Sequence, residues 1–482
     1  MHVFIQNVFL CHHIESFLPY VSSSFVCVCA CICACVLSSD SVVCSLRGFA
    51  CAYSSSISPT SKSPVSVHRM IHRREANLTG VGRFRKSDCR HIGLRHIPQH
   101  NPVVREDVNS RGYIGQYSEN GEWFIAGFQD RRIKIYEVHN DWRMRKEIIA
   151  RGLRWTITDT CMSPDRNFLV YSSITPIVHM VSTAPQYDCV ANMEDDKEHF
   201  ALHLGSAYDN FGVWGISFSP DGREIIAGTS SDRLIVYDVE TNKTIVKINA
   251  HSDDVNSVAF IDEGSNLMVS GSDDALCKVW DRRTATPTPV GVFPGHTEGI
   301  AHVSPKGDGR YFISNSKDQS IKLWDLRGMR TNSTYNPRQK KIARYHWDYR
   351  WMEYPPFSKH DIAFKGHPDD ASIMTYRGHA VLETLIRSYF SPLHTTGQRY
   401  IYSGSHDGRV YVYDLITGEV AALLVHHISV VRDCSWHPTE PKLVSCSWDG
   451  SIVEWSHDPR EPVVCKRLED LKRSVHLKLN GS

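Results

Sequence analysis

Residues 312–325 read FISNSKDQSIKLWD. An apolar pair runs into a small residue, Ser314. Asp318 marks a turn, and an alternating run closes on Trp324. Two short alternating segments around a polar turn predict an antiparallel hairpin with a buried face. The pattern recurs without gaps at 124–137 (FIAGFQDRRIKIYE), 268–281 (MVSGSDDALCKVWD), 401–414 (IYSGSHDGRVYVYD) and 443–456 (LVSCSWDGSIVEWS). A sixth copy, 225–238 (IIAGTSSDRLIVYD), fits with one local shift. Small residue and aromatic stand ten apart in all six: Ala126/Tyr136, Ala227/Tyr237, Ser270/Trp280, Ser314/Trp324, Ser403/Tyr413 and Ser445/Trp455. Asp130, Asp274, Asp318, Asp407 and Asp449 each precede their aromatic by six. In the remaining copy Asp232 sits one residue late, with Ser231 in its place, so that turn is expected to deviate.

Further strands lie upstream. VWGISFSPDG, VNSVAF, IRSYFSP and VRDCSWHP alternate apolar and polar residues, and several end in turn signals. His251, His296 and His427 precede their turn aspartates by 22 or 23 residues, and His379 stands 28 before Asp407. A buried His–Ser–Asp–aromatic chain of hydrogen bonds accounts for this set, because it satisfies polar groups inside a covered sheet.

These residues resemble the WD40 repeat over roughly residues 112–457. The resemblance implies an all-β chain, a seven-bladed WD40 β-propeller spanning about 96–475. Gaps near 43 residues between aromatics are one blade each. The gap from Tyr136 to Tyr237 hides a degenerate blade at 155–182, without turn aspartate or closing aromatic. The gap from Trp324 to Tyr413 reads as an insertion, 327–372, between blades five and six. It is basic over 327–350 (Arg327, Arg330, Arg338, Lys340, Lys341, Arg344 and Arg350 against Asp348) and carries the aromatic cluster YHWDYRWMEYPPF. A second insertion, 188–211, is acidic, with Glu194, Asp195, Asp196 and Glu198. Ring closure needs a terminal strand, and 97–105 and 461–468 are the candidates.

The chain has 482 residues, 41% apolar and 22% charged, and carries a net charge of +1. That balance excludes a wholly disordered chain and argues against a protein that coats nucleic acid. No run reaches the roughly 18 apolar residues of a spanning helix, so no membrane partner is expected. Eight of the 15 cysteines fall in the first 51 residues, and the rest are scattered without a CxxC pair, as suits a reducing compartment. Residues 1–69 read as a low-complexity leader. Three readings of FVCVCACICACVL at 25–37 stay open: a translated dinucleotide repeat ahead of a true start at Met70, a signal-peptide core, or a cysteine tract for metal. Residues 70–95 form a basic arm, either solvated or serving docking or nuclear import.

No GxSxG, phosphate-binding glycine loop, HExxH or zinc spacing appears, so neither an enzyme, a metal nor a cofactor is expected. Cys434, His437 and Cys446 belong to strand and turn patterns. Asp159 has no second carboxylate or histidine nearby in sequence. The sharper signal ends two consecutive blades: Trp280-Asp281-Arg282-Arg283 and Trp324-Asp325-Leu326-Arg327. Both read Trp-Asp-x-Arg, and two exposed guanidinium groups on one rim can engage a partner's carboxylates or carbonyls. The competing reading is a local salt bridge from each arginine to its aspartate.

The pair resembles the DWD box of substrate receptors for cullin-four RING ubiquitin ligases. Residues 268–327, 347–351, 375–392 and 431–438 resemble, within that group, the family of cullin-four associated factor eleven in its plant-type form. The resemblance implies a non-enzymatic substrate receptor. Its Trp280, Asp281, Arg283, Trp324, Asp325 and Arg327 would bind the triple-propeller adaptor of the ligase. An unknown target protein would sit elsewhere, over the channel or along 327–357. Nuclear and cytoplasmic localisation goes with that reading. The alternative is a WD40 scaffold in transcription or RNA processing, with Tyr345, Trp347, Tyr349 and Trp351 stacking on single strands. Against that stands an aromatic latch packed on the propeller.

Overall fold

Each quoted repeat forms the second and third strands of a four-stranded antiparallel sheet, as Tyr311–Ser316 and Ser320–Asp325 do. Every such turn has one residue at positive φ, five positions before the aromatic: Arg131, Asp232, Ala275, Gln319, Gly408 and Gly450. Asp232 therefore occupies the left-handed position common to all six turns, a conformation aspartate tolerates. The expected deviation of that backbone is corrected: what the repeat lacks is the turn carboxylate. Ser231 stands in its place, its hydroxyl 3.1 Å from that of Thr229.

The computed structural model describes residues 67–76, 80, 84, 89, 92–94, 96–184, 199–206, 209–284, 288–331, 347–354 and 367–457. Seven four-stranded sheets follow one another around a channel. Blades one to six span 112–149, 160–203, 213–249, 255–293, 300–377 and 388–425. The seventh takes three strands from 431–456 and its outer strand, His100–Asp107, from the start of the propeller. That strand overlaps the N-terminal candidate for ring closure; the other candidate, 461–468, lies outside the described residues.

Apolar clusters lie between successive blades. Between four and five, Val279, Phe293 and Ile300 meet Phe312 and Trp324. Between six and seven, Tyr400, Tyr402, Trp436 and Trp455 also enclose Leu94 and Ile97, so the end of the basic arm is anchored in the core. The arm opens on a helix, Val67–Glu75, which begins inside the stretch read as leader and buries Met70. Residues 1–66 lie outside the described residues.

Both insertions need correction. Residues 327–372 interrupt blade five rather than separating it from blade six, because Met374–Arg377 pairs with Ser320–Leu323 as the outer strand of blade five. Likewise His199–His203, inside the predicted acidic insertion, is the outer strand of blade two. An outer strand pairs on one side only and holds no member of the polar chain, so no repeated residue marks it. Glu194, Asp195, Asp196 and Glu198 lie outside the described residues, as do Arg338, Lys340, Lys341 and Arg344.

Truncation tests the closing strand. A chain beginning at Val108 leaves Ser451–Ser456 as an open edge. We expect aggregates in size-exclusion chromatography and no single cooperative calorimetric transition.

Candidate functional site

The chain of polar groups fixes where the third strand of each blade ends. In blade four, Trp280 Nε1 donates to Ser270 Oγ at 2.9 Å, Ser270 Oγ lies 2.8 Å from His251 Nε2, and His251 Nδ1 lies 2.9 Å from Asp274. Blade five repeats it through Trp324, Ser314, His296 and Asp318 at 2.7, 2.7 and 2.9 Å. Blade seven uses Trp455, Ser445, His427 and Asp449 at 2.9, 2.7 and 3.1 Å. Burial lowers the His251 pKa. Burial raises that of Asp318, but the His296 charge and hydrogen bond outweigh it and hold the carboxyl below its ordinary range. Blade six departs from the set. The Tyr413 hydroxyl accepts the His379 backbone N–H and faces Nδ1 at 2.9 Å, which leaves Nε2–H to donate to Asn315 Oδ1 of blade five, also at 2.9 Å.

These anchors place both Trp-Asp-x-Arg corners on one face, where third strands end. The corners are tied together: Val292, on the outer strand of blade four, exchanges two backbone hydrogen bonds with Arg330, just past the corner of blade five. The corners are not equivalent. Arg283, its side chain 65% exposed, grips Asp281 bidentately at 2.9 and 2.7 Å, and Asp281 is held down at about 2 by that contact. The local salt bridge weighed from sequence is therefore present in blade four. In blade five Asp325 is gripped instead by Arg310, at 2.6 Å, and caps a 3-10 turn (Leu326–Gly328) through the Arg327 N–H. The exposed Arg327 guanidinium forms no ion pair among the described residues.

The opposite face holds a site the sequence did not single out. In five blades the inner strand breaks register after its first residue. A bulge re-aims the extra side chain, and Tyr113, Trp214, Asn256 and Arg432, all at that position, line a cavity of about 910 Å³ at the channel mouth. Deeper, Arg387 of blade six donates to Asp159 of blade two at 2.6 Å and reaches Asp433 of blade seven at 3.4 Å. Arg432 donates to the Thr158 carbonyl at 3.1 Å and to that of Tyr113. Asp159 thus has a charged partner after all, across the channel.

Residues 347–354 of the insertion lie over this mouth. Lys317 Nζ stands 4.0 Å from the Tyr349 ring centre, the Tyr349 carbonyl accepts the Glu383 N–H at 2.8 Å, and Trp347 meets Tyr354 edge to face at 4.9 Å. The cluster is a latch on the propeller, with Trp351 left 83% exposed. As for the sequence candidates Cys434, His437 and Cys446, burial raises both thiol pKa values. His437 Nε2 faces the Gly121 carbonyl at 3.1 Å while Nδ1 faces the Glu440 N–H at 2.9 Å, so both ring nitrogens are engaged. The same engagement governs the grouping of His437 with His139 and Glu440.

Comparison with known proteins adds family evidence. The WD domain, G-beta repeat model matches residues 203–238, 242–281, 287–325, 370–414 and 418–456. The LEC14B protein of Lithospermum erythrorhizon is 50% identical over 399 residues, covering 82% of this chain and 83% of that protein. The DDB1- and CUL4-associated factor 11 homolog of Caenorhabditis briggsae is 46% identical over 379 residues, 77% of this chain and 67% of that protein. Its Caenorhabditis elegans counterpart is 38% identical over 377 residues, 76% and 64%.

The buried histidines set an acid limit. Burial pushes the pKa of His379 down to about 4 and that of His302 well below its ordinary value. Between pH 6.5 and about 4 the unfolded chain binds protons that these histidines refuse in the native state, so stability falls as pH falls through that window. His379 alone accounts for roughly 3 kcal/mol at about 1.4 kcal/mol per unit. Urea midpoints measured from pH 8 to 4.5 should drop on acidification, with a shallower slope in His379→Gln. A flat profile would mean that these histidines are charged in the native state.

Proposed function

This chain belongs to the WD40-repeat family of LEC14B and the DDB1- and CUL4-associated factor 11 homologues, and we propose that it is the substrate-recognition subunit of a cullin-four RING ubiquitin ligase. On this reading it performs no chemistry. It holds a target protein and docks on the ligase's triple-propeller adaptor, DDB1, through Trp280, Asp281, Arg283, Trp324, Asp325 and Arg327.

The observation that carries the reading is the pair of exposed arginines at joined corners of adjacent blades. Within each corner the tryptophan and aspartate are structural. Trp280 and Trp324 are buried in their hydrogen-bond chains, and each aspartate accepts the N–H of its arginine. The guanidinium groups are what the corner offers a partner. The Arg327 guanidinium forms no ion pair among the described residues, whereas that of Arg283 is shared with Asp281. A role as a scaffold in transcription or RNA processing has less support, because, of the four aromatics, Trp347 packs on Tyr354 and Tyr349 on Lys317, which leaves Trp351 alone exposed among the described residues; Tyr345 lies outside them. Nuclear and cytoplasmic localisation is part of the proposal, since the ligase reading places the chain where its adaptor works.

Co-precipitation tests it. Arg283→Ala with Arg327→Ala should reduce recovery of DDB1 by about 30-fold or more, the loss expected when one partner of an interfacial charged contact is truncated. Arg327→Ala alone should cost more than Arg283→Ala alone, because the first removes the unshared guanidinium. The melting temperature should not move, and target binding should persist. Trp280→Ala should differ, losing about 3–5 kcal/mol of folding stability as a deleted buried tryptophan does. Wild-type recovery of DDB1 by the folded double variant would remove the residue-level basis of this reading.

A further inference from the structure

The cavity at the channel mouth differs in sign from one side to the other. Part of its charged wall is neutralised locally. Asp273 accepts Lys317 at 2.7 Å and Asp348 pairs with Arg350 at 2.7 Å, whereas Glu383 faces the His406 imidazole at 3.4 Å and Glu298 also lines the cavity. Asp253 and Asp254, in the loop between blades three and four, form no ion pair among the described residues. Asp254 Oδ2 accepts the indole N–H of Trp214 at 3.1 Å, which fixes the carboxylate beside the aromatic wall. Partial burial and the neighbouring carboxylates of Asp273 and Asp253 hold the Asp254 pKa up at about 6, against the Trp214 hydrogen bond. On the far side, at blades one and seven, Arg111 lies over Trp448, 4.5 Å from its ring centre.

A second observation points to a missing occupant. Thr156, 1% exposed, and Arg432, 5% exposed, both line the cavity. The Thr156 hydroxyl and the Arg432 Nε–H find no hydrogen-bond partner among the described residues; the latter, a donor on a cation, calls for a backbone carbonyl of an occupant and not for its cationic side chain. Buried polar groups of this kind are rare and call for a partner. Exposed indoles frame the same space: Trp155 at 59% and Trp351 at 83%. Aromatic walls around unpaired carboxylates suit a cation with an aliphatic stem, which gains from both the charge and the ring faces.

We infer that the channel mouth reads a cationic side chain, lysine or arginine, of the target segment, with Asp254 and Asp253 as its charge partners beside Trp214. The inference rests on the substrate-receptor reading and gives that reading the chemistry of its target. The segment lies across the mouth with its cation toward blades three and four, away from Arg111.

The test pans a random dodecapeptide display library against the full chain and against Asp253→Asn with Asp254→Asn. Asparagine keeps the side-chain volume, and its carbonyl still accepts the Trp214 N–H. Wild type should enrich peptides with lysine or arginine at one fixed position, and the variant should not. By fluorescence anisotropy, a selected peptide should bind at least ten-fold more weakly to the variant. Replacing its cation with citrulline or norleucine should cost the wild type as much. Should the double variant melt early, Asp253→Lys, on an exposed side chain, provides the same comparison. Absence of cationic enrichment, or equal binding to wild type and variant, overturns the inference. The same variant must recover DDB1 as wild type does. DDB1 recovery without cationic preference sinks this inference alone, whereas cationic preference without DDB1 recovery by wild type sinks the receptor reading alone.

Discussion

Closure of the ring is the constraint on which everything else depends. His100–Asp107 pairs antiparallel with Ser451–Ser456, joining segments some 350 positions apart in sequence. The strand is bound on both sides of the seam. Toward blade seven, Arg105 donates to the buried Glu454 at 2.5 Å, and Trp142 of blade one reaches the same carboxylate at 3.0 Å. Toward blade one, Glu106 takes the Lys134 ammonium and the Tyr136 hydroxyl, the latter at 2.6 Å. Tyr136 is the aromatic of the one regular hairpin whose residue ten positions earlier is alanine and whose hydroxyl has a carboxylate from another blade. The first blade thus takes its polar anchor from the closing strand. Contacts this distant in sequence fold slowly, because loop closure comes before the contacts that reward it.

Closure also sets the distances inside the channel. Arg387, Asp159, Asp433 and Arg432 come from blades six, two and seven, and two cations face two carboxylates in a largely buried space. Such a network is a weak source of net stability, because desolvation offsets most of the attraction. Its effect is on specificity of assembly: an arginine without its cross-channel aspartate would be a buried unpaired charge, so the inner strands tolerate only the arrangement that brings all of them together. Burial raises the pKa of the Asp433 carboxyl, and burial, then the Arg387 charge, lowers that of Arg432 to about 10. Burial thus disfavours the charged form of both, and the Arg387 guanidinium offsets it at Asp433 while adding to it at Arg432.

The parts of this fold that were legible in the sequence are those where residue type and position are both fixed. The second and third strands are of this kind, because a Ser, an Asp and a Trp at constant spacing must meet one histidine. Outer strands such as Met374–Arg377 and His199–His203 were not, since a strand paired on one side needs only alternation, and four or five residues carry little of it. The channel mouth was hidden for another reason. Its position in the repeat is constant, yet the residue there changes from Tyr113 to Trp214, Asn256 and Arg432, and a backbone bulge rather than a residue type gives it its direction. The corners were legible as a motif, but not their asymmetry. That depends on Arg310, fifteen residues before Asp325 and outside the motif, which takes the aspartate and leaves Arg327 open.

The two surfaces stand at opposite ends of the same strands. In blade five Asp325 pairs with Tyr311 at one end, and Lys317, at the other, faces the latch over the mouth. Six strand residues at about 3.3 Å each separate them by roughly 20 Å. A partner at the corners and a segment in the mouth therefore need share no atom, which is the arrangement a receptor requires if it is to hold both at once. One insertion nevertheless serves both faces. It leaves the corner at Arg327, bonds to blade four through Arg330, supplies the latch at 347–354, and returns through Asp370, which takes the Lys322 ammonium beside the buried Trp324. The chain that carries the open arginine is thus the chain that narrows the mouth.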